Sequence, residues 1–175
     1  MRFKAHYFCL TLILLSVAGY SQDNWKQYPI GNSGISAYFS CNPGIGDVAY
    51  SPDSSKVYTL ECKPMEGLTY SLIAVDFAID LSNDEVENVL SSYLDYLKSE
   101  FKVVSSVGYD VGHFLPTHPS AVTITDSWDD GTSEISVGGC ANTGTIGVLL
   151  VFRTKGSTIN TQKEKFFQGF RFPGD

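Results

Sequence analysis

Alternating apolar and polar residues predict that much of this chain is β-strand. In the clearest segment, Ile35, Ala37 and Phe39 share one face of an extended chain while Ser36 and Ser40 lie on the other, as in a strand with one buried face. The same criterion predicts eight strands, at 25–30, 34–41, 56–63, 67–79, 102–109, 119–128, 132–139 and 145–153.

Turn-forming residues separate several of these strands. The stretch 42–55 carries two Pro and two Gly among polar residues and is predicted to be a loop. Asp130-Gly131 lies between two alternating segments and predicts a hairpin. The sequence NTGT at 142–145 predicts a second hairpin.

One helix is well marked between the strands. Ser82 and Glu85 have the spacing of a capping box, with Ser82 as the N-cap. Apolar residues then recur at helical spacing and predict a helix of about five turns with one apolar stripe: Val86, Val89, Leu90, Tyr93, Leu94, Leu97 and Phe101. A shorter helix is predicted at 161–170, ended by Phe172-Pro173.

The order of these elements predicts the fold class. Strands, one long helix, more strands and one terminal helix indicate an α+β fold rather than a βαβ repeat. We therefore expect a single domain: an antiparallel β-sheet with a long central helix and a short C-terminal helix packed on it.

Several segments together resemble the Mog1/PsbP-like α/β/α fold. They are Trp25 followed by GISAYFSCNP, a polar loop, the strand LTYSLIAVDFAID, the capped helix and the terminal KFFQGFRF. Where such proteins show Phe-Pro after the second strand, this chain has Ser40-Cys41-Asn42-Pro43. The resemblance implies a Mog1/PsbP-like sandwich and a binding or assembly role. The resemblance implies no catalytic residues, because such proteins share no active site.

The first residues have the parts of an export signal. Arg2 and Lys4 precede an apolar run at 7–18, and small residues follow. The run is too short to span a bilayer of about 30 Å. We predict a signal peptide at 1–21, a mature domain at 22–175, and a secreted or periplasmic location without membrane insertion after cleavage; an uncleaved anchor is the alternative.

Charge excludes one class of partner. The predicted mature chain has ten Lys and Arg against nineteen Asp and Glu, a net charge of −9. Such a surface repels phosphate backbones. We therefore expect no nucleic-acid partner, and a protein or a small molecule as the ligand.

Three cysteines remain after signal removal: Cys41, Cys62 and Cys140. An odd number in an oxidising compartment favours one disulfide and one thiol. Cys41 and Cys62 each alternate in phase with apolar residues of a predicted strand, so we predict that these two form the disulfide. Three unpaired thiols are the alternative.

Residues that often carry chemistry occur in three places. Ser33 lies between glycines in Gly31-Asn32-Ser33-Gly34, as some nucleophilic serines do, but the tetrapeptide is also an ordinary turn. His113 and His118 with Asp110 have the chemistry of a zinc or copper site, although a spacing of five across Pro116 matches neither helical nor strand pairs.

The third place is the acidic run at 126–131, which suggests calcium but lacks the alternation of a calcium loop. We predict no catalytic residue, no metal site and no cofactor.

Five aromatic residues are less obviously core than the rest and are predicted to face a ligand or partner; partly exposed sheet aromatics are the alternative. They are Tyr28, Tyr38, Tyr50, Tyr109 and Trp128.

The leading functional hypothesis is an exported, non-catalytic binding or assembly module, because the motifs of catalysis are missing from the sequence. One alternative is a small secreted hydrolase or metal-dependent enzyme using His113 and His118. Another is a secreted inhibitor or immunity-type protein.

Overall fold

The structure is a computed structural model that describes residues 24–111 and 113–175. The predicted signal peptide at 1–21 lies outside the described residues. Among the described residues, no helix is both long enough and apolar enough to cross a membrane.

The described chain is a mixed α+β structure dominated by antiparallel strands. Its elements are β1 (Lys26–Pro29), β2 (Ser36–Phe39), β3 (Asp47–Tyr50), β4 (Lys56–Met65), β5 (Leu68–Asp76), α1 (Val86–Glu100), β6 (Ser105–Ser106), β7 (Asp110–Val111), β8 (Val122–Asp129), β9 (Ser133–Ala141), β10 (Thr145–Thr154) and α2 (Lys163–Gln168).

One large antiparallel sheet organises the fold. Its strands lie in the order β3-β4-β5-β10-β9-β8-β6, and β7 also pairs with β8. The central pair is β5 and β10, with Tyr70 opposite Val151. β1 and β2 form a separate two-stranded hairpin.

The two faces of the sheet carry two different cores. On one face α1 places Val86, Leu90, Leu94 and Leu97 against apolar residues of β8, β9 and β10. On the other face, the β1–β2 hairpin and α2 bring Phe39, Phe166 and Phe170 onto the sheet. Along the central strands, successive side chains point into opposite cores, so both faces of each strand are buried. This explains why these strands are almost continuously apolar.

A glycine makes close packing possible on the second face. A Cβ atom at Gly147 would lie 2.5 Å from the Phe170 ring, closer than non-bonded carbon atoms approach. The buried phenylalanine therefore occupies the space above β10 that a side chain would fill.

The start of α1 differs from the predicted one. The helix begins at Val86, and its N-cap is Glu85, which makes no side-chain cap hydrogen bond. The prediction that Ser82 is the N-cap was therefore wrong. Half of the capping box is present in the preceding turn, since the Ser82 N–H donates to the Glu85 carboxylate at 3.0 Å.

One loop prediction and one strand prediction also need correction. The predicted loop 42–55 contains β3, which pairs with β4. The predicted strand 102–109 is a strand only at β6, although Val104 and Val107 also donate backbone hydrogen bonds to β8. Both predicted hairpin turns are confirmed, with the Asp130 carboxylate accepting from Thr132 N–H at 2.8 Å in the first.

Candidate functional site

A groove of about 600 Å³ lies where the β1–β2 hairpin meets the β4–β5 turn and the segment before α2. We call it the disulfide groove, because Cys41 forms part of its wall. Its lining combines aromatic, aliphatic, amide and hydroxyl groups with a single charged residue: Asn24, Trp25, Ser40, Cys41, Pro64, Met65, Leu68, Tyr70, Asn160, Gln162 and Lys165.

The floor of the groove is an aromatic cluster. The Trp25 and Tyr70 rings meet edge to face with centroids 5.2 Å apart, and Tyr70 meets Phe166 in the same way at 5.1 Å. The Tyr70 hydroxyl donates to the carbonyl of Thr161, and burial raises the pKa of Tyr70 to about 12. Tyr70 is therefore a fixed, neutral hydrogen-bonding group at the base of the site.

Trp25 is oriented by the segment that precedes α2. Its indole Nε1–H donates to Gln162 Oε1 at 2.9 Å, and Lys165 Nζ lies 5.7 Å from the centroid of its ring. Gln162 has φ 45°, a left-handed conformation that is uncommon for residues other than glycine. The backbone of Gln162 is held there by a hydrogen bond from its N–H to Asn160 Oδ1 at 3.1 Å.

The disulfide prediction is confirmed. Cys41 and Cys62 are bonded, with their Cα atoms 5.7 Å apart, within the range of about 4.4–6.8 Å that disulfides span. The bond joins the end of the β1–β2 hairpin to β4 and so fixes one wall of the groove. Cys140 is unpaired and buried, and burial raises the pKa of its thiol.

One polar atom at the groove has no partner among the described residues. The Ser40 hydroxyl oxygen is buried and makes no hydrogen bond there. A buried hydroxyl without a partner costs about 1–3 kcal/mol. The surrounding atoms enclose this oxygen, so it is not exposed to a ligand in the groove.

The five predicted ligand-facing aromatics do not share a surface. Tyr28 packs edge to face on Phe39, and the guanidinium of Arg171 lies 5.9 Å from the Tyr38 ring. Tyr50 is exposed on β3.

The remaining two face α1. The Tyr109 hydroxyl donates to Asp95 Oδ1 at 2.5 Å, and Trp128 is 1% exposed. The prediction that Trp128 faces a ligand is corrected by this burial, since its position in β8 places it in the core beneath α1.

The two histidines occupy different settings. His113 is exposed in the loop after β7, whereas His118 Nε2 lies 2.7 Å from Asp175 Oδ2 and its ring packs on Phe172. Asp110 belongs to β7 and pairs with β8. In the part of the chain that the structure describes, no group of three His, Cys, Asp or Glu residues could hold a metal ion.

The serine between glycines forms a turn. The Ser33 hydroxyl donates to the Ile30 carbonyl at 2.6 Å and accepts from the Ile35 N–H at 3.0 Å. Both hydrogen bonds close the β1–β2 hairpin, as the turn interpretation of Gly31-Asn32-Ser33-Gly34 predicts.

The acidic run at 126–131 is divided among structural contacts. Asp129 Oδ2 pairs with Lys155 Nζ at 2.5 Å, and Asp130 caps the β8–β9 turn. Asp126 points the other way, onto the α1 face, with no exposed side-chain surface and Lys98 Nζ 3.3 Å from its Oδ2. These carboxylates therefore do not converge on one point.

Sequence reasoning missed the disulfide groove. The predicted helix at 161–170 contains Phe166. Nothing local in the sequence indicates that Trp25 and Tyr70 meet this residue, since the three lie far apart along the chain. Neither a protein-family model nor a curated protein matches this sequence.

Proposed function

We propose that the chain is an exported, non-catalytic binding module, and that the disulfide groove takes a short, uncharged peptide segment. The observation that carries this proposal is the groove itself, with an aromatic floor and amide groups on its walls. Its size is within the range of about 300–1,000 Å³ typical of ligand sites.

The chemistry of the walls favours a peptide. Met65 is exposed at the rim beside Pro64, and Leu68 lies deeper. Methionine is flexible and polarisable, and such residues adapt to varied apolar side chains. The amides of Asn24 and Asn160 match the donors and acceptors of a peptide backbone. No carboxylate is among the residues that line the groove.

Two further features support export and the proposed fold. The predicted signal peptide and the Cys41–Cys62 disulfide both fit an oxidising compartment. The order of layers, with α1 on one face of the sheet and α2 with the β1–β2 hairpin on the other, supports the proposal of a Mog1/PsbP-like sandwich with α1 as its long central helix. Proteins of that fold are mostly binding or assembly modules.

The proposal is tested with N-acetylated, C-amidated tetrapeptides of uncharged residues, titrated against the mature protein. Trp25 lies in the groove and Trp128 in the core, so binding is expected to change the fluorescence of Trp25. Trp25→Phe should abolish that change. Calorimetry on the same variant then reports how far the loss of the indole weakens binding.

A matched pair of variants locates the site. Met65→Ser should weaken tetrapeptide binding at least about fivefold, which corresponds to about 1 kcal/mol. Ile79→Ser, at another exposed apolar residue outside the groove, should leave affinity unchanged. If no tetrapeptide binds and a neutral oligosaccharide binds saturably, the proposal that the ligand is a peptide is contradicted. Cleavage of a bound peptide would contradict the non-catalytic role.

A further inference from the structure

β3 forms an edge of the large sheet, and within the described chain it pairs only with β4. The Ser51 N–H donates to the Ser55 carbonyl at 3.0 Å, in register with the β3–β4 ladder. Hydrogen-bonded and non-hydrogen-bonded pairs alternate in an antiparallel ladder. The backbone N–H and C=O groups of Val48 and Tyr50 therefore point away from β4.

The same two residues carry the apolar side chains of this edge. Val48 and Tyr50 are two positions apart and so lie on one face of the sheet, where they are 50% and 70% exposed. β3 contains one charged residue, Asp47, and no Pro or Lys. Charged residues and Pro are the features with which edge strands commonly prevent pairing with another chain.

We propose that β3 is a self-association site, which pairs antiparallel with β3 of a second copy about a two-fold axis through Ala49. In this register, Val48 lies opposite Tyr50 of the partner subunit, and the reverse pair forms by symmetry. Each pair exchanges two backbone hydrogen bonds through the outward groups. The interaction is independent of the disulfide groove and goes beyond the function proposed for it.

The self-complementarity of β3 favours a second copy as the occupant. Val48 and Tyr50 of the partner subunit make a cross-strand contact between β-branched and aromatic side chains, a favourable pair in sheets. Asp47 lies opposite Ser51 of the partner subunit, so no like charges face each other directly across the seam. Small Ala49 side chains meet on the axis and allow the two strands to approach.

The small size of this contact and the net charge of the two chains determine how strongly the dimer forms. A seam five residues long is small compared with stable dimer interfaces of about 1,200–2,000 Å², and two mature chains of net charge −9 repel each other. The dimer is therefore weak and strengthens with salt, which screens repulsion between exposed charges.

Sedimentation velocity of the mature protein, from about 5 to about 500 µM and at low and high salt, measures this association. Val48→Lys and Tyr50→Lys should each weaken it at least tenfold. Val107→Lys and Tyr96→Lys are the matched controls, because these residues are 85% and 54% exposed outside β3 and receive the same change of charge.

A cysteine on the axis tests the register. Residues facing each other in a non-hydrogen-bonded pair have Cα atoms about 4.5 Å apart, within the disulfide range of about 4.4–6.8 Å. Ala49→Cys should therefore form a cross-linked dimer under mild oxidation much faster than Val107→Cys. A monomer at every concentration and salt, association reduced equally by the β3 variants and their controls, or equal cross-linking rates would each overturn the proposal.

Discussion

The Asp126 carboxylate is enclosed by donors from three parts of the chain. The Ser106 hydroxyl and the Gly108 N–H donate to it from the segment after α1, and the Trp128 indole donates at 2.7 Å. Lys98 completes the set from α1. Burial raises the pKa of Asp126, but these hydrogen bonds outweigh burial and hold the pKa below its ordinary value.

Removing this charge should destabilise the fold and change its response to acid. Asp126→Asn should lower the free energy of unfolding by about 3 kcal/mol, because it breaks a partly buried ion pair and leaves the surrounding donors with a weaker acceptor. The folded-state pKa is lowered, so the contribution of Asp126 is present above its unfolded pKa of about 3.9 and is lost as the pH falls through the folded value. Denaturation by urea at pH 7 and pH 3 should show the wild type losing more of its stability than the variant.

The exposed Asp110 provides the control, since Asp110→Asn should change stability by less than about 0.5 kcal/mol. Equal losses for the two variants would contradict the buried role of Asp126. The alternation of Ile124, Asp126 and Trp128 along β8 could have indicated a buried acid from sequence. Its donors could not be predicted, because Ser106 and Lys98 reach it only through tertiary packing.

At the scale of elements, the apolar stripe of α1 was predicted well and its beginning was not. Val86, Leu90, Leu94 and Leu97 are all buried, in agreement with helical spacing. The helix begins four residues after Ser82 because the Ser82–Glu85 turn holds its own backbone hydrogen bond, from the Glu85 N–H to the Ser82 carbonyl at 3.0 Å. Local capping signals indicate the region in which a helix begins, but they do not determine its first residue.

Two substitutions in this region should differ strongly in effect. Leu94→Ala should cost about 2–5 kcal/mol, because Leu94 is fully buried and its removal leaves a cavity against β9. Ser82→Ala should cost under about 0.5 kcal/mol, since the exposed side chain does not cap α1. Guanidinium unfolding followed by circular dichroism measures both; a larger loss at Ser82 would mean that it caps the helix in solution.

β3 was missed for a different reason. All four of its residues are exposed, so burial imposes no alternation on them, and its strand conformation comes from hydrogen bonds to β4. A strand of this kind resembles a loop in sequence, particularly among Pro and Gly residues. Periodicity detects strands that bury a face, and it misses edge strands that do not.

At the scale of the whole molecule, a disulfide links the hairpin layer to the main sheet. The alternation of apolar and polar residues along two predicted strands was enough to select Cys41 and Cys62 from sequence. Successive side chains of a strand point to opposite faces, so the position of a cysteine in the strand determines the face on which it lies. The order of strands in the sheet was beyond such reasoning, since it depends on contacts between distant segments. The disulfide groove was unpredictable for the same reason.

Replacing both bonded cysteines by serine should lower the free energy of unfolding by about 3 kcal/mol. Without the disulfide, a loop of about 20 residues is no longer closed in the unfolded chain, which therefore gains conformational entropy. The variant should also bind tetrapeptides less well, because Cys41 lines the groove. Thermal unfolding checks the first part and calorimetric titration with the tetrapeptides checks the second, while non-reducing peptide mapping verifies which cysteines are bonded. Cys140→Ala is the control, and it should keep the mapped Cys41–Cys62 peptide intact.

The central position of β5 and β10 has a consequence for how the chain folds. These strands lie side by side, with Leu72 opposite Leu149, although β6, β7, β8, β9 and α1 separate them along the chain. Before β10 is in place, β5 presents an apolar edge that belongs in the middle of the sheet. Closing so distant a contact is slow, and mostly antiparallel domains of this kind fold in about milliseconds to seconds. If the chain is exported as proposed, the apolar edge of β5 would need to be shielded until β10 has crossed the membrane. Stopped-flow refolding should show formation of the central sheet as the slow step.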